Sequence, residues 1–572
     1  MRSGARALVE SLEKAGVEKL FGYPGGAVLD IFNCLTDAKF QFVLGRHEQG
    51  SAHMADGYAR ASGKVGVCLV TSGPGATNTI TGLATANIDG IPLVVITGQV
   101  SLPLIGTDAF QEADTTGITR AVSKHNFLVH SADEIPETVA EAFYIATHGK
   151  PGPVVIDIPK NCQQQMTAAR YPERVSLRAY HPESTATTSQ LNRLAKLVNE
   201  AKRPVIYAGG GVIASGAAED VAKLARKAQI PVTTTLMGLG AFDERDPLAL
   251  GLSGMHGSAA ANWAVRDADL LIALGVRFSD RVTAKLSEYA KNAAVVHVDI
   301  DPASIGKNVR PALGIVADIK DVLTTVSSRV KPAEHAEWLA KIAAWKKERP
   351  MSYRKMHEAV IMPQSVVEAV DKASGGKAVV VTDVGQNQMW AAQYFRHSRP
   401  RHFISSGGMG TMGFGIPAAI GAAFADPTEK VVAILGDGGA QMTFEEVVVA
   451  VEHKLNVVFV VINNGCLGMV RQWQELFYGK NYSGSILTVK GRKANERLEQ
   501  DLDYDYLPDF VKLAEAHGAK AYRVIDPAKL ESTLARAVKS QKPSVVEVIV
   551  EPRANVYPMI PGGKSVDETV FG

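Results

Sequence analysis

Cysteine is scarce in this chain, with four in 572 residues (Cys34, Cys68, Cys162 and Cys466), all far apart. No CxxC pair exists, which excludes a zinc ribbon and a dithiol redox motif. So few thiols also exclude a disulfide scaffold and fit a reducing compartment. Charge of one sign is lacking too: 61 Lys+Arg face 59 Asp+Glu, for a net charge of +2. No global basic field exists for nucleic acid, so any ligand phosphate has to be met locally. No run of about 18 apolar residues occurs, so no membrane span is expected. The stretch Ile91 to Ile105 is the richest, and Pro92, Gly98, Gln99, Ser101 and Pro103 interrupt it. The N-terminus lacks the apolar core of a secretory signal and reads directly as a helix, with Ala7, Leu8, Leu12 and Ala15 at helical spacing. A cytoplasmic protein is the expectation.

What is present is ordinary globular composition, 46% hydrophobic and 21% charged. The length suggests about three or four domains. Short β-branched runs alternate with helical patterns throughout. Val67–Thr71, Leu93–Ile96, Pro153–Ile156, Val431–Leu435 and Val457–Ile462 are unbroken apolar runs. Strands of this kind are buried on both faces, which predicts parallel sheets covered by helices in an α/β class. Two polar stretches, about 163–190 and about 330–362, read as interdomain linkers. They divide the chain into 1–163, 190–335 and 363–550, with a tail over 551–572. The first and third segments echo each other: strand, Gly turn, helix, strand. The turns are Gly73-Pro74-Gly75 and Gly436-Asp437-Gly438.

The strongest chemical signal is that second turn, followed after 24 intervening residues by Asn463-Asn464. Both lie at carboxyl ends of strands, where open α/β sheets bind ligands. Asp437 offers an anionic oxygen and Asn464 an amide oxygen. With a diphosphate and water they would complete an octahedral Mg²⁺ site. In the middle segment, Gly209-Gly210-Gly211 follows strand 204–207. No acid lies about 20 residues on at the next strand end, so a nicotinamide fingerprint is not supported.

The GDG…NN pattern resembles the metal signature of thiamine-diphosphate (ThDP) enzymes. The resemblance covers nearly the whole chain and narrows to the large, catalytic subunits of the acetolactate (acetohydroxyacid) synthases. It is carried by FGYPGGAVLDIF (21–32), GRHEQGSAHMADGYARASG (45–63), TSGPGATNTITGLATA (71–86), IGTDAFQEAD (105–114), GMHGSAAAN (254–262), GVRFSDRVTAKL (275–286), SGGMGTMGFGIPAAIGAA (406–423) and LGMVRQWQELFY (467–478). It implies three doubly wound parallel-sheet domains in the order pyrimidine-binding, FAD-binding and diphosphate-binding. It also implies ThDP, Mg²⁺ and FAD as cofactors.

The implied reaction decarboxylates pyruvate on ThDP. It passes the hydroxyethyl unit to pyruvate or 2-ketobutyrate, in branched-chain amino acid synthesis. Because the net reaction is non-redox, the flavin would be structural. The partners implied are small 2-keto acids, a second or further copies in a homodimer or homotetramer with sites between chains, and a small regulatory subunit. A catabolic, flavin-free acetolactate synthase and another ThDP carboligase are the rival enzymes, and a non-catalytic binding protein of the same fold is the rival of another class. Glu48, Asp437 and Asn464 argue against the last, while GMHG and RFSDRVT favour the flavin type.

Residue by residue, the resemblance makes Glu48 the acid that shares a proton with the aminopyrimidine of ThDP. Gly25, Gln111, Lys124, Arg281 and Trp473 join it as catalytic residues. Arg281 would meet the second keto acid's carboxylate, and Trp473 would favour the extra methyl of 2-ketobutyrate. ThDP contacts are implied at Pro24, Thr71, Pro74, Asn78, Gly385, Gln386, Asn387, Gly410, Met412, Gly436, Gly438, Gly439, Leu467, Gly468 and Met469. Among these, Met412 would wedge between the coenzyme's two rings. The metal would take Asp437, Asn464 and the backbone carbonyl of Cys466. FAD contacts are implied at Lys150, Gly209, Gly210, Gly211, Thr235, Leu236, Met255, His256, Gly257, Arg277, Asp299, Ile300, Asp301 and Asp318. Three positions depart from the family pattern. Asn387 stands where His is usual, Lys150 where Arg is usual, and Ser101 where sulfonylurea-sensitive members often have Pro.

Overall fold

The computed structural model describes residues 1–182, 184–487 and 508–572. Three six-stranded sheets follow one another along the chain, and every pairing within them is parallel. Their strands are apolar and buried because helices cover both faces. Gly66–Val70 and Val457–Asn463, for example, are buried at every residue.

The first sheet orders its strands Gln41–Leu44, Lys19–Gly22, Gly66–Val70, Leu93–Gln99, Pro153–Pro159 and His125–Leu128. The third runs Phe403–Ile404, Val379–Thr382, Val431–Gly436, Val457–Asn463, Ser544–Ile549 and Lys520–Val524. Numbered within each domain, both read 2-1-3-4-6-5, so the echo in the sequence is an echo in topology. The middle sheet differs. Its order is Ala249–Leu252, Val232–Thr234, Pro204–Ala208, Leu270–Leu274, Ala294–Asp299 and Leu313–Val316, or 3-2-1-4-5-6. That is the dinucleotide-binding order, with its crevice where strand Pro204–Ala208 meets strand Leu270–Leu274.

One helix pair joins the first and third domains. Helix Glu48–Ser62 starts at His47, whose ring accepts from the Gln49 N–H, and ends at Gly63 in the left-handed region at φ 76°. Helix Gly415–Ala425 is apolar nearly throughout and buried along its length up to Phe424. The two lie backbone to backbone. A Cβ on Gly57 would stand 2.2 Å from the Ala418 carbonyl, and one on Gly421 would stand 1.9 Å from the Met54 carbonyl. Residues of both domains therefore form a single core, including Phe21, Met54 and Tyr58 with Phe414, Ile420 and Phe424.

Both stretches read as linkers carry packed structure. Met166–Thr167 pairs antiparallel with Arg2–Ser3, and Tyr171, Leu177 and Tyr180 pack on the first core. Helix Ala336–Glu348 lies on the middle domain, where buried Trp338 donates Nε1–H to the Pro204 carbonyl at 3.2 Å. Trp338 and Ile342 are four apart and share one face, which overcomes the polar composition around them. The tail also packs. Arg266 pairs with Asp567, and the Ile560 N–H donates to the Met255 carbonyl at 2.8 Å.

The helix pair sets a testable limit. Gly421→Ala should destabilise the chain by about 1–3 kcal/mol, because the methyl group meets backbone that cannot rotate away. Gly562→Ala, at a glycine with open space around it, should change stability by less than about 0.5 kcal/mol. Urea denaturation of the two variants checks the contrast, and equal midpoints would contradict it.

Candidate active site

The third domain places Asp437 at the end of strand Val431–Gly436. Its side chain is buried near the backbone N–H groups of Gly438, Gly465 and Cys466, of which those of Gly465 and Cys466 donate to Asn463 Oδ1 at 3.1 Å and Asn464 Oδ1 at 3.0 Å. Burial outweighs those donors and pushes its pKa up to about 7. One oxygen, Oδ2, is buried and has no hydrogen-bond partner among the described residues. An orphaned carboxylate oxygen is costly to bury unless a cation meets it.

Asn464 stands at the end of the neighbouring strand, Val457–Asn463. Its Nδ2 donates to Gln386 Oε1 at 3.3 Å, while its Oδ1 accepts the Cys466 N–H at 3.0 Å. Gln386 is itself fixed by donating to Gln472 Oε1 and to the Ala554 carbonyl, each at 2.9 Å. Asn464 is thus oriented through a second amide, with its oxygen on the Cys466 side. Segment Gly465–Leu467 is braced in turn: the Leu467 N–H donates to the Ser485 carbonyl at 2.7 Å and the Leu487 N–H to that of Gly465 at 2.9 Å. Among the described residues no three His, Cys, Asp or Glu side chains gather as a metal set. The donors here are carboxylate, amide and carbonyl oxygens, the ligand chemistry of Mg²⁺.

The glycines around Asp437 have distinct causes. A Cβ on Gly438 would stand 2.6 Å from Leu467 Cδ2 and 3.5 Å from Met412 Cε, so Met412, Leu467 and Gly438 share one wall. A Cβ on Gly439 would stand 2.1 Å from Asp383 Oδ1, and one on Gly468 2.2 Å from Gln386 Oε1. Gly385 needs its freedom at φ 133°. Asn387 turns inward: its Nδ2 donates to the Ile434 carbonyl at 2.9 Å, and its Oδ1 lies beside Gly385 and Gly436. The amide spends its donor on the strand end.

In the first domain Glu48 opens helix Glu48–Ser62 and is partly buried. Its Oε2 accepts from Asn78 Nδ2 at 3.0 Å. A Cβ on Gly75 would lie 3.6 Å from its Oε1, and one on Gly25 2.5 Å from Thr71, so Gly25, Thr71, Gly75, Asn78 and Glu48 form one cluster. Pro24 and Pro74 are exposed at its rim. Gln111, at φ 59°, packs its backbone on Gly73 at the same turn. Lys124 goes elsewhere. Its ammonium donates to the carbonyls of Ile145 and His148 at the end of helix Ile135–Thr147. Burial, with Lys150 adding repulsion, lowers its pKa to about 8.

All three domains line a cavity of about 940 Å³, the first through Asp89 and residues 147–151. Lys150, Gly210, Gly211, Thr235, Leu236, Met255, His256, Arg277, Asp299, Ile300 and Asp318 line it. From the third domain come Gly385, Gly410 and Met469. Arg281 and Trp473, far apart in sequence, meet here, with the guanidinium carbon 5.5 Å from the indole centroid. The Arg281–Asp280 ion pair is long, at 3.8 Å, and exposed. Gly209, Gly257 and Asp301 do not wall the cavity. Gly209 and Gly257 pack against backbone, at Gly275 and Ser253 respectively, and Asp301 accepts from the Ala303 N–H at 2.9 Å. Burial pushes Asp299 up to about 6.

Three buried carboxylates near the site escape the motif reading. Asp383 accepts from Gly413 N at 3.1 Å and Gly415 N at 2.9 Å, holding the loop that carries Met412. Burial raises it to about 6. Glu446 reaches from the third domain to the Arg46 and His47 N–H groups, each at 3.0 Å, just before Glu48. Asp89 holds the Gly407–Gly408 backbone. Only their partners, distant in sequence, mark them out. A buried acid after a strand, as in Thr382-Asp383, was the one local signal.

Comparison with known proteins supports the same assignment along the chain. The models of the thiamine pyrophosphate enzyme family match at residues 2–118 (N-terminal TPP binding domain), 191–326 (central domain) and 383–548 (C-terminal TPP binding domain). An acetolactate synthase of Mycobacterium bovis is 47% identical over 575 residues, covering 99% of this chain and 91% of its own. A probable acetolactate synthase large subunit of Methanocaldococcus jannaschii is 46% identical, with 98% and 94% covered. The acetolactate synthase isozyme 3 large subunit of Escherichia coli is 45% identical, with 99% and 98% covered.

The orphaned oxygen of Asp437 yields a sign-defined prediction. A carboxyl whose folded pKa is raised to about 7 costs stability as pH climbs from its ordinary value of 3.8 to that point. Asp437→Asn should therefore stabilise the metal-free chain at pH 8 by a few kcal/mol, with the gain fading towards pH 4. It should also raise the half-saturating concentrations of Mg²⁺ and ThDP. Denaturation at both pH values, without and with the two ligands, checks this; a metal-free variant less stable than the parent at pH 8 would refute it.

Proposed function

The chain belongs to the thiamine pyrophosphate enzyme family, and on that premise we propose that it is the large, catalytic subunit of an acetolactate synthase. It joins two 2-keto acids with loss of one CO₂. Pyruvate alone gives 2-acetolactate, and pyruvate with 2-ketobutyrate gives 2-aceto-2-hydroxybutyrate. The observation that carries the reading is the pairing of Asp437, with its orphaned buried oxygen, and Asn464, oriented through Gln386, at adjacent strand ends of a ThDP-type domain.

Bound ThDP would supply the electron sink that allows a 2-keto acid to lose CO₂. The residues of this chain do the rest. Asp437, Asn464 and the Cys466 carbonyl would hold Mg²⁺ against the diphosphate. Met412, beside Gly438 and Leu467, would press on the coenzyme from the Gly-rich loop. Glu48, held by Asn78, would share a proton with the aminopyrimidine ring. Arg281 offers a cation for the acceptor's carboxylate, and Trp473 an apolar face for its alkyl end.

The partners of Glu48 come from the first domain and those of Asp437 from the third. Each half-site has an exposed apolar rim: Leu29 and Phe110 (88% exposed) by the first, Met409, Val470 and Tyr478 by the third. A second copy that brings its Glu48 to this chain's Asp437 would cover both rims, so the reading is a homodimer at least. Two of the relatives are named large subunits, which supports a small subunit as a further partner.

FAD suits the large cavity, to which the middle domain contributes most of the lining. The 3-2-1-4-5-6 sheet opens its crevice there. Lys150 and Arg277 offer cations for a dinucleotide's diphosphate, and Asp299 and Asp318 offer acceptors for hydroxyl groups. No helix among the described residues is long and apolar enough to cross a membrane.

The test of function is acetolactate formed from pyruvate by the purified chain with ThDP and Mg²⁺. Glu48→Gln should lower turnover by about 10²–10⁴-fold with ThDP still bound. Near-normal turnover at saturating ThDP would remove Glu48 from the mechanism.

Trp473→Leu should leave acetolactate formation in place. It should reduce the preference for 2-ketobutyrate over pyruvate by about tenfold, the worth of one methylene contact in an apolar pocket. Competition between the two acceptors, read as a product ratio, decides it; an unchanged ratio would place Trp473 outside the acceptor pocket.

A further inference from the structure

One side chain touches all three domains. Asp89 closes helix Ile80–Asp89 of the first domain, and its side chain is fully buried. Its Oδ2 accepts from Arg60 Nη2 at 3.1 Å and from the Gly407 N–H at 3.0 Å. Its Oδ1 accepts from the Gly408 N–H at 2.8 Å. Nη2 of Arg277, from the middle domain, stands 3.9 Å from the same Oδ1.

The charges around this point are unequal without Arg277. Arg60 is buried between Asp56 and Asp89, two carboxylates for one guanidinium. Arg277 is the second cation, and its side chain is 37% exposed. It lines the 940 Å³ cavity together with Asp89, Gly407, Gly408 and Gly410. The glycine loop that Asp89 grips therefore forms a cavity wall at Gly407–Gly410 and ends at Met412, beside Gly438 of the metal half-site. The clasp has no slack: a Cβ on Gly408 would lie 2.8 Å from Asp89 Oδ1 and 2.9 Å from Arg277 Nη2.

We propose that Asp89 is a positioning residue that couples the two cofactor sites: a flavin dinucleotide at Arg277 sets the Gly407–Gly413 loop for ThDP through the Asp89 carboxylate. The inference rests on the FAD and ThDP reading given above. Asp89 Oδ1 already accepts the Gly408 N–H, with the Arg277 guanidinium 3.9 Å away. An anionic dinucleotide that draws on the Arg277 charge leaves more of the Oδ1 charge to that loop N–H and tightens the clasp. A loop ordered in advance loses less freedom when ThDP arrives, which appears as tighter binding. Linkage requires that ThDP tighten flavin binding by the same factor. This gives a non-redox flavin a direct effect on the reacting half-site.

Asp89→Asn separates coupling from shape. The amide keeps the volume, but one of its two positions becomes a donor that cannot accept a loop N–H. The experiment uses the full chain stripped of cofactors and needs no turnover. Flavin binding is read by quenching of flavin fluorescence, and ThDP binding with Mg²⁺ by near-ultraviolet circular dichroism, each with and without the other ligand. The parent should show a coupling factor of about tenfold in both directions, within the usual range for linked sites. Asp89→Asn should bind both ligands with the factor reduced to about one. Gly408→Ala, which pushes the loop off the clasp, should give the same loss and stands in if Asp89→Asn does not fold. Coupling undiminished in the variants, or absent from the parent although both ligands bind, would overturn this inference alone. A parent that binds no flavin would overturn the cavity reading and this inference with it.

Discussion

The contact between helix Glu48–Ser62 and helix Gly415–Ala425 is the constraint on which the rest of the structure depends. Glycines at 57 and 421 let two backbones meet where any side chain would collide. The first and third domains then share one apolar core and keep a fixed relation. That relation brings Glu446 under the Arg46–His47 backbone and Asp89 under Gly407–Gly408. Each carboxylate holds, from one domain, a loop of the other.

Carboxylates recur at these loops for a physical reason. A loop at the carboxyl end of a parallel strand exposes N–H groups that neither sheet nor helix satisfies, and burial makes them costly. Asp383, Glu446 and Asp89 each take two or more. Burial raises the pKa of Asp383 and Glu446, to about 6 and about 8, even with those donors in place. Asp437 differs in having an oxygen left over. Asp383, Glu446 and Asp89 use both oxygens on the protein, whereas Asp437 has one that none of the described residues meets.

The same contrast sorts the amides and cations. Gln386 and Asn387 spend their donors internally, on Gln472, Ala554 and Ile434, so they orient other groups. Lys124 spends its ammonium on helix-end carbonyls. Arg277 and Arg281 remain partly free beside the large cavity, where an anion can reach them. Arg281 also lies against the Trp473 indole, which joins a cation to an apolar face in one pocket.

Much of this was legible in the sequence because it is local. Unbroken apolar strands declared parallel sheets, and Gly-Asp-Gly and Asn-Asn declared strand-end loops with hard oxygen donors. Glu48 stood out through the run around it. The two stretches between the sheets are polar in composition and showed no packing in sequence, yet Trp338 and Ile342 needed only one helical face to pack. Gly209 and Gly257 also have a packing reason to be glycine, since a Cβ would stand 2.1 Å from the Gly275 carbonyl oxygen and 2.5 Å from Ser253 Cα respectively. What the chain order alone could not reveal is which distant groups meet. Asp89 with Gly408, Glu446 with His47, and Arg281 with Trp473 are far apart in the chain. Tertiary packing decided those pairings, because a carboxylate or a guanidinium has no sequence pattern that names its partner, only a geometry that supplies one.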